Sequence, residues 1–362
     1  MKILEIDENY LKDHNSYETA VEICSQPDKW KMLYEDYLKK EKEILNFFKK
    51  IGLDETFDII FTGAGSSEYI GNILVPILST TKKYSFKSIA TTDIVTNPEM
   101  YLKENKKVLL ISFARSGDSP ESVATVNLAN KLVKNIYHLF ITCNPEGHLA
   151  KIGKSDENTY TFLMPEGSND KGFAMTSSLS CMLLTAILIF YHPENILEMI
   201  EKVRNNYISS ISEIHDLAKK DNERIVILGS GPFKGISQEL ALKVMELTAG
   251  KCIAKFDSTL GFRHGPKSII DKKTIVFICN NPCEYANKYD VDLYEEIKED
   301  GITKDLYVYK VTGDILEAIF TYLVKGQIYA FFKSQYFNLE TDNPFPTGEV
   351  NRVVKKFKIY EY

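Results

Sequence analysis

Phe57-Asp-Ile-Ile-Phe-Thr-Gly-Ala-Gly-Ser-Ser67 decides the fold, because its pattern returns as Arg224-Ile-Val-Ile-Leu-Gly-Ser-Gly-Pro-Phe233. The glycines Gly63 and Gly229 lie 166 positions apart. Each stretch is a short β-branched run, then Gly-x-Gly, then residues that read as helix. A strand buried on both faces of a parallel sheet has this composition, and a helix crossover must follow it. A second apolar run follows in each half, Lys107–Phe113 and Thr274–Cys279, and Tyr137–Thr142 adds a third to the first half. The reading is an α/β unit present twice, each a mostly parallel sheet flanked by helices. Residues 176–191 and 196–220 are predicted helices, the second holding the linker. Trp30 to Lys50 carries Leu33, Tyr37, Ile44, Phe47 and Phe48 on a helical period. That helix packs either on its own domain or against a second subunit.

Composition bounds what such a chain does. It has 362 residues, room for two domains, with 44% hydrophobic and 26% charged residues. A net charge of −6 argues against a nucleic-acid partner. Six cysteines show no CxxC and no nearby histidine at ligand spacing, so free thiols and no metal site are expected. Residues 1–13 contain no apolar signal core, and the longest apolar run, Cys181–Tyr191, is shorter than the ~20 residues of a membrane span. The expectation is a cytoplasmic protein with no membrane partner.

Three clusters could carry chemistry. The Gly-x-Gly turns alone support a nicotinamide enzyme poorly, since Glu68 stands where G-x-G-x-x-G needs its last glycine. Ser112-Phe-Ala-Arg-Ser-Gly-Asp-Ser-Pro-Glu-Ser122 joins a buried strand to a helical run. Ser116, Ser119, free helix amides and the fork of Arg115 suit a phosphate. Plain helix capping explains Ser119-Pro120, but not the whole Arg-Ser-Gly-x-Ser set. Ser66 and Ser67 are expected to face the same crevice. In the second half, Glu239, Lys243 and Glu246 share one helix face at i, i+4 and i+7. Among Leu240, Leu242 and Met245 that face is largely packed, which favours function over a solvated salt-bridge row. Phe262-Arg-His-Gly-Pro-Lys267 presents the imidazole of His264 from a loop.

These residues together resemble the sugar isomerase (SIS) domain, present twice. The layout is similar to the isomerase half of glucosamine-6-phosphate synthase without its glutaminase half. A closer resemblance is to the galactosamine-6-phosphate deaminase/isomerase family, also called tagatose-6-phosphate ketose/aldose isomerase. Met245–Lys251, Gly261–Ser268 and Gly348–Val354 carry it. The resemblance implies doubly wound, three-layer domains at 51–200 and 201–340, after an N-terminal helical segment, 1–50, and before a tail, 341–362, near the active site. It implies that Ser66, Ser67, Arg115, Ser116 and Ser119 hold a sugar phosphate, with Gly65, Glu239 and Arg263 also on the substrate side. Where the synthase has serine and glutamine, this chain has Ala114 and Arg115, so the cup loses a hydroxyl and gains a cation. Glu246 matches the glutamate that moves a proton between C1 and C2, Lys243 its neighbouring lysine, and Glu239 a supporting carboxylate. His264 matches the histidine that assists ring opening, which in the synthase comes from the neighbouring subunit. Lys355 lies near the synthase's Schiff-base lysine without a clear register, and that role is not carried over.

The implied enzyme needs no cofactor, takes a small sugar phosphate, and assembles as a homodimer or dimer of dimers. It deaminates galactosamine 6-phosphate to tagatose 6-phosphate. The alternatives are a plain hexose-6-phosphate ketose/aldose isomerase, a fructosamine-phosphate deglycase, or a non-catalytic sugar-phosphate sensor. The first 50 residues lack the basic helix pair of a DNA-binding sensor.

Overall fold

The computed structural model describes residues 2–81, 83–311, 313–354 and 357–362. They form two compact units: Asp28–Asp170 with Ser177–Glu194 and Gly348–Tyr362, and Met1–Pro27 with Lys171–Thr176 and Asn195–Thr347. The expected N-terminal segment and C-terminal tail are thus each divided between units.

The first unit is built on a five-stranded parallel sheet in the order Ser85–Ser88, Phe57–Thr62, Lys107–Ala114, Asn135–Thr142, Thr159–Leu163. Counted along the chain, the order is 2-1-3-4-5. All six residues of Phe57–Thr62 are buried, as the unbroken apolar run requires. One face packs Ile60, Val108 and Leu110 against Ile94, Leu102, Ala129 and Val133. The long helix Gln26–Ile51 packs within this unit from Asp28 on: the Trp30 indole donates to Ser180 Oγ (2.9 Å) and the Tyr37 hydroxyl to the Leu188 carbonyl (3.1 Å). Its partner helix, Ser177–Phe190, is buried throughout. Its N-terminus is held by Asp170, whose carboxylate accepts from the Ser177 and Ser178 amides, each at 2.9 Å.

The second unit repeats the theme with four parallel strands in the order Asp305–Tyr309, Thr274–Cys279, Arg224–Gly229, Ile253–Asp257. Read from the other edge this is 2-1-3-4, the first sheet without its fifth strand. Helix Ile315–Tyr336 is long and apolar enough to cross a membrane, yet it is mostly buried inside this unit. It packs on Ile196–Ala218 and Pro232–Leu247. Any Cβ at its Gly326 would lie 2.3 Å from Leu240 Cδ2, so glycine lets the two helices touch. The N-terminal residues join this unit because Asp342 caps helix Tyr17–Cys24, accepting from the Glu18 (2.9 Å) and Thr19 (2.7 Å) amides.

Candidate active site

In a 2-1-3-4-5 sheet the chain leaves strands one and three in opposite directions, and a crevice opens at their carboxyl ends. Here those strands are Phe57–Thr62 and Lys107–Ala114, adjacent with Thr62 opposite Ser112. The two sequence clusters of this unit, 63–67 and 115–119, emerge there. Gly63 lets the chain turn sharply into helix Ser66–Leu78: a Cβ would lie 2.5 Å from the Ser67 carbonyl carbon. Gly65 takes φ 56° and ψ −129°, which suits glycine and favours few other residues. The second unit reproduces the turn, with Gly231 at φ 59° and ψ −127°. The backbones agree, but the side chains do not. Ser66 and Ser67, at the start of their helix, are replaced by Pro232 and Phe233, and Phe233 is fully buried. The first turn thus places two hydroxyls at its helix start, and the second places none there; its Ser230 hydroxyl accepts from Asn281 Nδ2 at 3.1 Å.

The following strand delivers Arg115, Ser116 and Ser119. Arg115 is 7% exposed, and its Nη2 donates to the Arg352 carbonyl at 2.8 Å. Ser116 Oγ accepts from the Asp118 amide (3.2 Å). Gly117 has φ 70°. Ser119 occupies the cap position of helix Pro120–Leu132, with Pro120 first in the helix as read from sequence. Its side chain does not cap, however, and instead pairs with Ser122 Oγ at 2.7 Å. The loop therefore gathers two hydroxyls, a guanidinium and a helix start, the donor set that a phosphate dianion needs.

The second unit holds the titratable cluster on helix Pro232–Leu247. Lys243 and Glu239 are fully buried, and Glu246 keeps 24% of its side chain exposed. Lys243 Nζ bonds Glu246 Oε2 and lies 3.4 Å from Glu239 Oε1. Burial opposes the lysine charge, but the two carboxylates outweigh it and hold the ammonium above its ordinary pKa. The packed helix face expected from sequence is thus a carboxylate–ammonium–carboxylate row, with Glu246 at its solvent end.

His264 sits in the same unit between the short helix Thr259–Phe262 and a 3-10 turn at Pro266–Ile269. Its ring is exposed and bonded to no described residue; Gly265 beside it has φ 112°. Arg263, expected on the substrate side, pairs with Glu296 at 2.7 Å, and Lys267 joins the same carboxylate. Lys355 lies outside the described residues.

Sequence reading passed over the segment after strand Asn135–Thr142. Asn144 Nδ2 donates to the Ser116 carbonyl at 2.9 Å, and the His148 amide and ring nitrogen bond Asp118 Oδ1 at 3.0 and 2.7 Å. The turn signal Asn144-Pro-Glu-Gly147 was available, but not the loop it would meet.

Comparison with known proteins identifies the family. The SIS domain family matches residues 54–191. The chain is 38% identical to a D-galactosamine-6-phosphate deaminase, AgaS, of Shewanella sp. strain ANA-3, over 97% of this chain and 94% of that protein. A crystal structure from Clostridium novyi, provisionally assigned as a tagatose-6-phosphate ketose/aldose isomerase, superposes with a TM-score of 0.93 at 39% identity, covering 100% of both chains. The Escherichia coli tagatose-6-phosphate ketose/aldose isomerase gives 0.87 at 33% identity, over 95% of this chain and 97% of the other.

Proposed function

The chain belongs to the SIS-domain family of D-galactosamine-6-phosphate deaminases, and from that premise we propose that this enzyme converts galactosamine 6-phosphate and water to tagatose 6-phosphate and ammonia. The observation that carries the reading is the buried Glu239–Lys243–Glu246 row, which ends in one solvent-reaching carboxylate. Deamination at C2 needs a base held beside the carbon, and a carboxylate fixed by a buried ammonium is positioned without a metal ligand set. The phosphate goes to Ser66, Ser67, Arg115, Ser116 and Ser119, with Gly65 allowing close backbone approach.

The steps follow from these groups. The cyclic sugar opens first, with His264 moving the proton between O5 and O1. Glu246 then takes the C2 proton and returns it to C1 on the same face. This turns the aldehyde and C2 amine into a C1 alcohol and a C2 imine. Water adds to the imine, C–N cleavage releases ammonia, and the ketose phosphate remains. Lys243 orients Glu246 through their ion pair, while Glu239 balances the buried charge. The phosphate, remote from C1 and C2, supplies binding energy that orients the reacting carbons. The Glu296 pairing of Arg263 favours a structural part for it. The proposal includes a homodimer or dimer of dimers acting in the cytoplasm, where sugar phosphates, too polar to cross a bilayer unaided, are retained.

An ammonia-release assay with galactosamine 6-phosphate, glucosamine 6-phosphate and both N-acetyl forms tests the reading. Ammonia from the galacto amine, together with deuterium exchange at C2, is the expected result. Isomerisation of tagatose 6-phosphate without ammonia release from any amine would replace deamination by plain ketose/aldose isomerisation.

A further inference from the structure

The loop assigned to the phosphate does not hold its own shape. Gly117 has positive φ, and Asp118 is exposed. Its geometry is imposed by the segment that leaves the neighbouring strand, whose Thr142 pairs with Ala114. The Cys143 amide donates to the Ala114 carbonyl (3.4 Å), Asn144 Nδ2 to the Ser116 carbonyl (2.9 Å), and the Leu149 amide to the Gly117 carbonyl (3.2 Å). Asn144 Nδ2 also reaches Asp118 Oδ2 (3.3 Å). Gly147 lies so close beneath that any Cβ would stand 2.3 Å from the Ser116 carbonyl oxygen.

A trans peptide points its C=O and the next N–H in opposite directions. With the carbonyls of 114, 116 and 117 turned to this cradle, the N–H groups of Arg115, Gly117 and Asp118 turn away from it. The Asp118 N–H meets Ser116 Oγ, so that hydroxyl accepts there and keeps its own hydrogen for another acceptor. Asn144 sits at the middle of the arrangement. Its Oδ1 accepts from the Glu146 amide at 3.1 Å, which fixes the carboxamide with its NH2 toward the loop.

We propose that Asn144 is the positioning residue of the phosphate site, holding the Ser116 peptide so that the Gly117 amide and the Ser116 hydroxyl converge on the anion. This rests on the reading that residues 115–119 take the sugar phosphate. An aspartate of the same shape would set a carboxylate oxygen against both the Ser116 carbonyl and the Asp118 carboxylate, so the site requires a donor at this position.

The test compares Asn144→Ala, Asn144→Asp, Gly147→Ala and Arg115→Ala. It measures turnover of phosphorylated and unphosphorylated galactosamine, and competitive inhibition by inorganic phosphate. Loss of one ordinary hydrogen bond corresponds to about a tenfold change. For Asn144→Ala, KM for the phosphorylated sugar and Ki for phosphate should both rise about tenfold, kcat should stay within about twofold, and kcat/KM for the unphosphorylated sugar should not move. Asn144→Asp should be worse. Gly147→Ala, which removes no donor but displaces the Ser116 carbonyl, should raise Ki as well, and it serves if Asn144→Ala fails to fold. A Ki that rises in Arg115→Ala but not in the Asn144 and Gly147 variants would overturn the positioning role alone. Equal loss of kcat/KM for both sugars would reduce Asn144 to a structural part. A Ki unmoved in every variant, Arg115→Ala included, would overturn the phosphate reading and this inference with it.

Discussion

Lys243→Met removes the ammonium that lies between two carboxylates on one packed helix. The side chain is fully buried, methionine fills a similar volume, and the main change is electrostatic. Glu239, also fully buried, and Glu246, 24% exposed, then face each other without the ammonium. Breaking a buried ion pair by deleting one partner costs about 3–5 kcal/mol, chiefly by stranding the remaining charge. Glu239 can escape by taking a proton, since burial and a like charge both raise a carboxyl pKa. The folded variant then binds a proton that the unfolded chain, with Glu near ~4.3, does not bind at pH 7. Its stability should therefore rise as pH falls from 7 toward 5, by up to about 1.4 kcal/mol per unit. In the wild type the sign for Lys243 is the same but the window is not: its folded pKa is raised, so its stabilisation is present at neutral pH and lost only above the ordinary lysine range. Glu239→Gln in the Met background should restore most of the loss, giving a coupling of at least ~2 kcal/mol in the double-mutant cycle. The single tryptophan, Trp30, belongs to the five-stranded unit, so its fluorescence does not follow the affected unit. Urea unfolding should be read by far-UV circular dichroism, with hydrogen exchange at residues 232–247. A loss under ~1 kcal/mol with no gain at low pH would refute the buried-row argument.

Arg115→Ala should raise KM for the sugar phosphate by about ten- to a hundredfold, from ~1.5–3 kcal/mol for a charge-assisted contact, and change kcat less. An unchanged KM would remove it from the phosphate cup. Gly63→Ala and Gly229→Ala should each destabilise their own unit by about 1–3 kcal/mol, since each Cβ would lie within 2.6 Å of the following helix's backbone. Only Gly63→Ala should also raise KM, because the helix after Gly63 starts with Ser66 and Ser67 and the helix after Gly229 starts with Pro232 and Phe233. Glu246→Gln should abolish both ammonia release and C2 deuterium exchange at wild-type melting temperature. Mixed by refolding with inactive His264→Ala, it should regain about a quarter of wild-type activity if the two groups act from different subunits of a dimer. No recovery in verified heterodimers would exclude that sharing.

The sequence alone determined the sheet centres, the two turns and the composition of the helix row. Strands Phe57–Thr62, Lys107–Ala114, Asn135–Thr142, Arg224–Gly229 and Thr274–Cys279 are covered on both faces, and their apolar runs say so. Within the four- and five-stranded sheets, the strands it did not reveal, Ser85–Ser88, Thr159–Leu163, Ile253–Asp257 and Asp305–Tyr309, are the edges. An edge strand is half-solvated and mixes polar with apolar residues, so periodicity does not mark it. Glu239, Lys243 and Glu246 were legible because helical spacing is local. The tertiary structure alone decided which neighbours took which atoms: Glu296 for Arg263, the Arg352 carbonyl for Arg115, Asp342 for the amides of Glu18 and Thr19, Asn144 for the Ser116 carbonyl. Each of these contacts joins residues at least 28 positions apart. A side chain's partner at such range is set by how strands and helices stack, which no local pattern encodes.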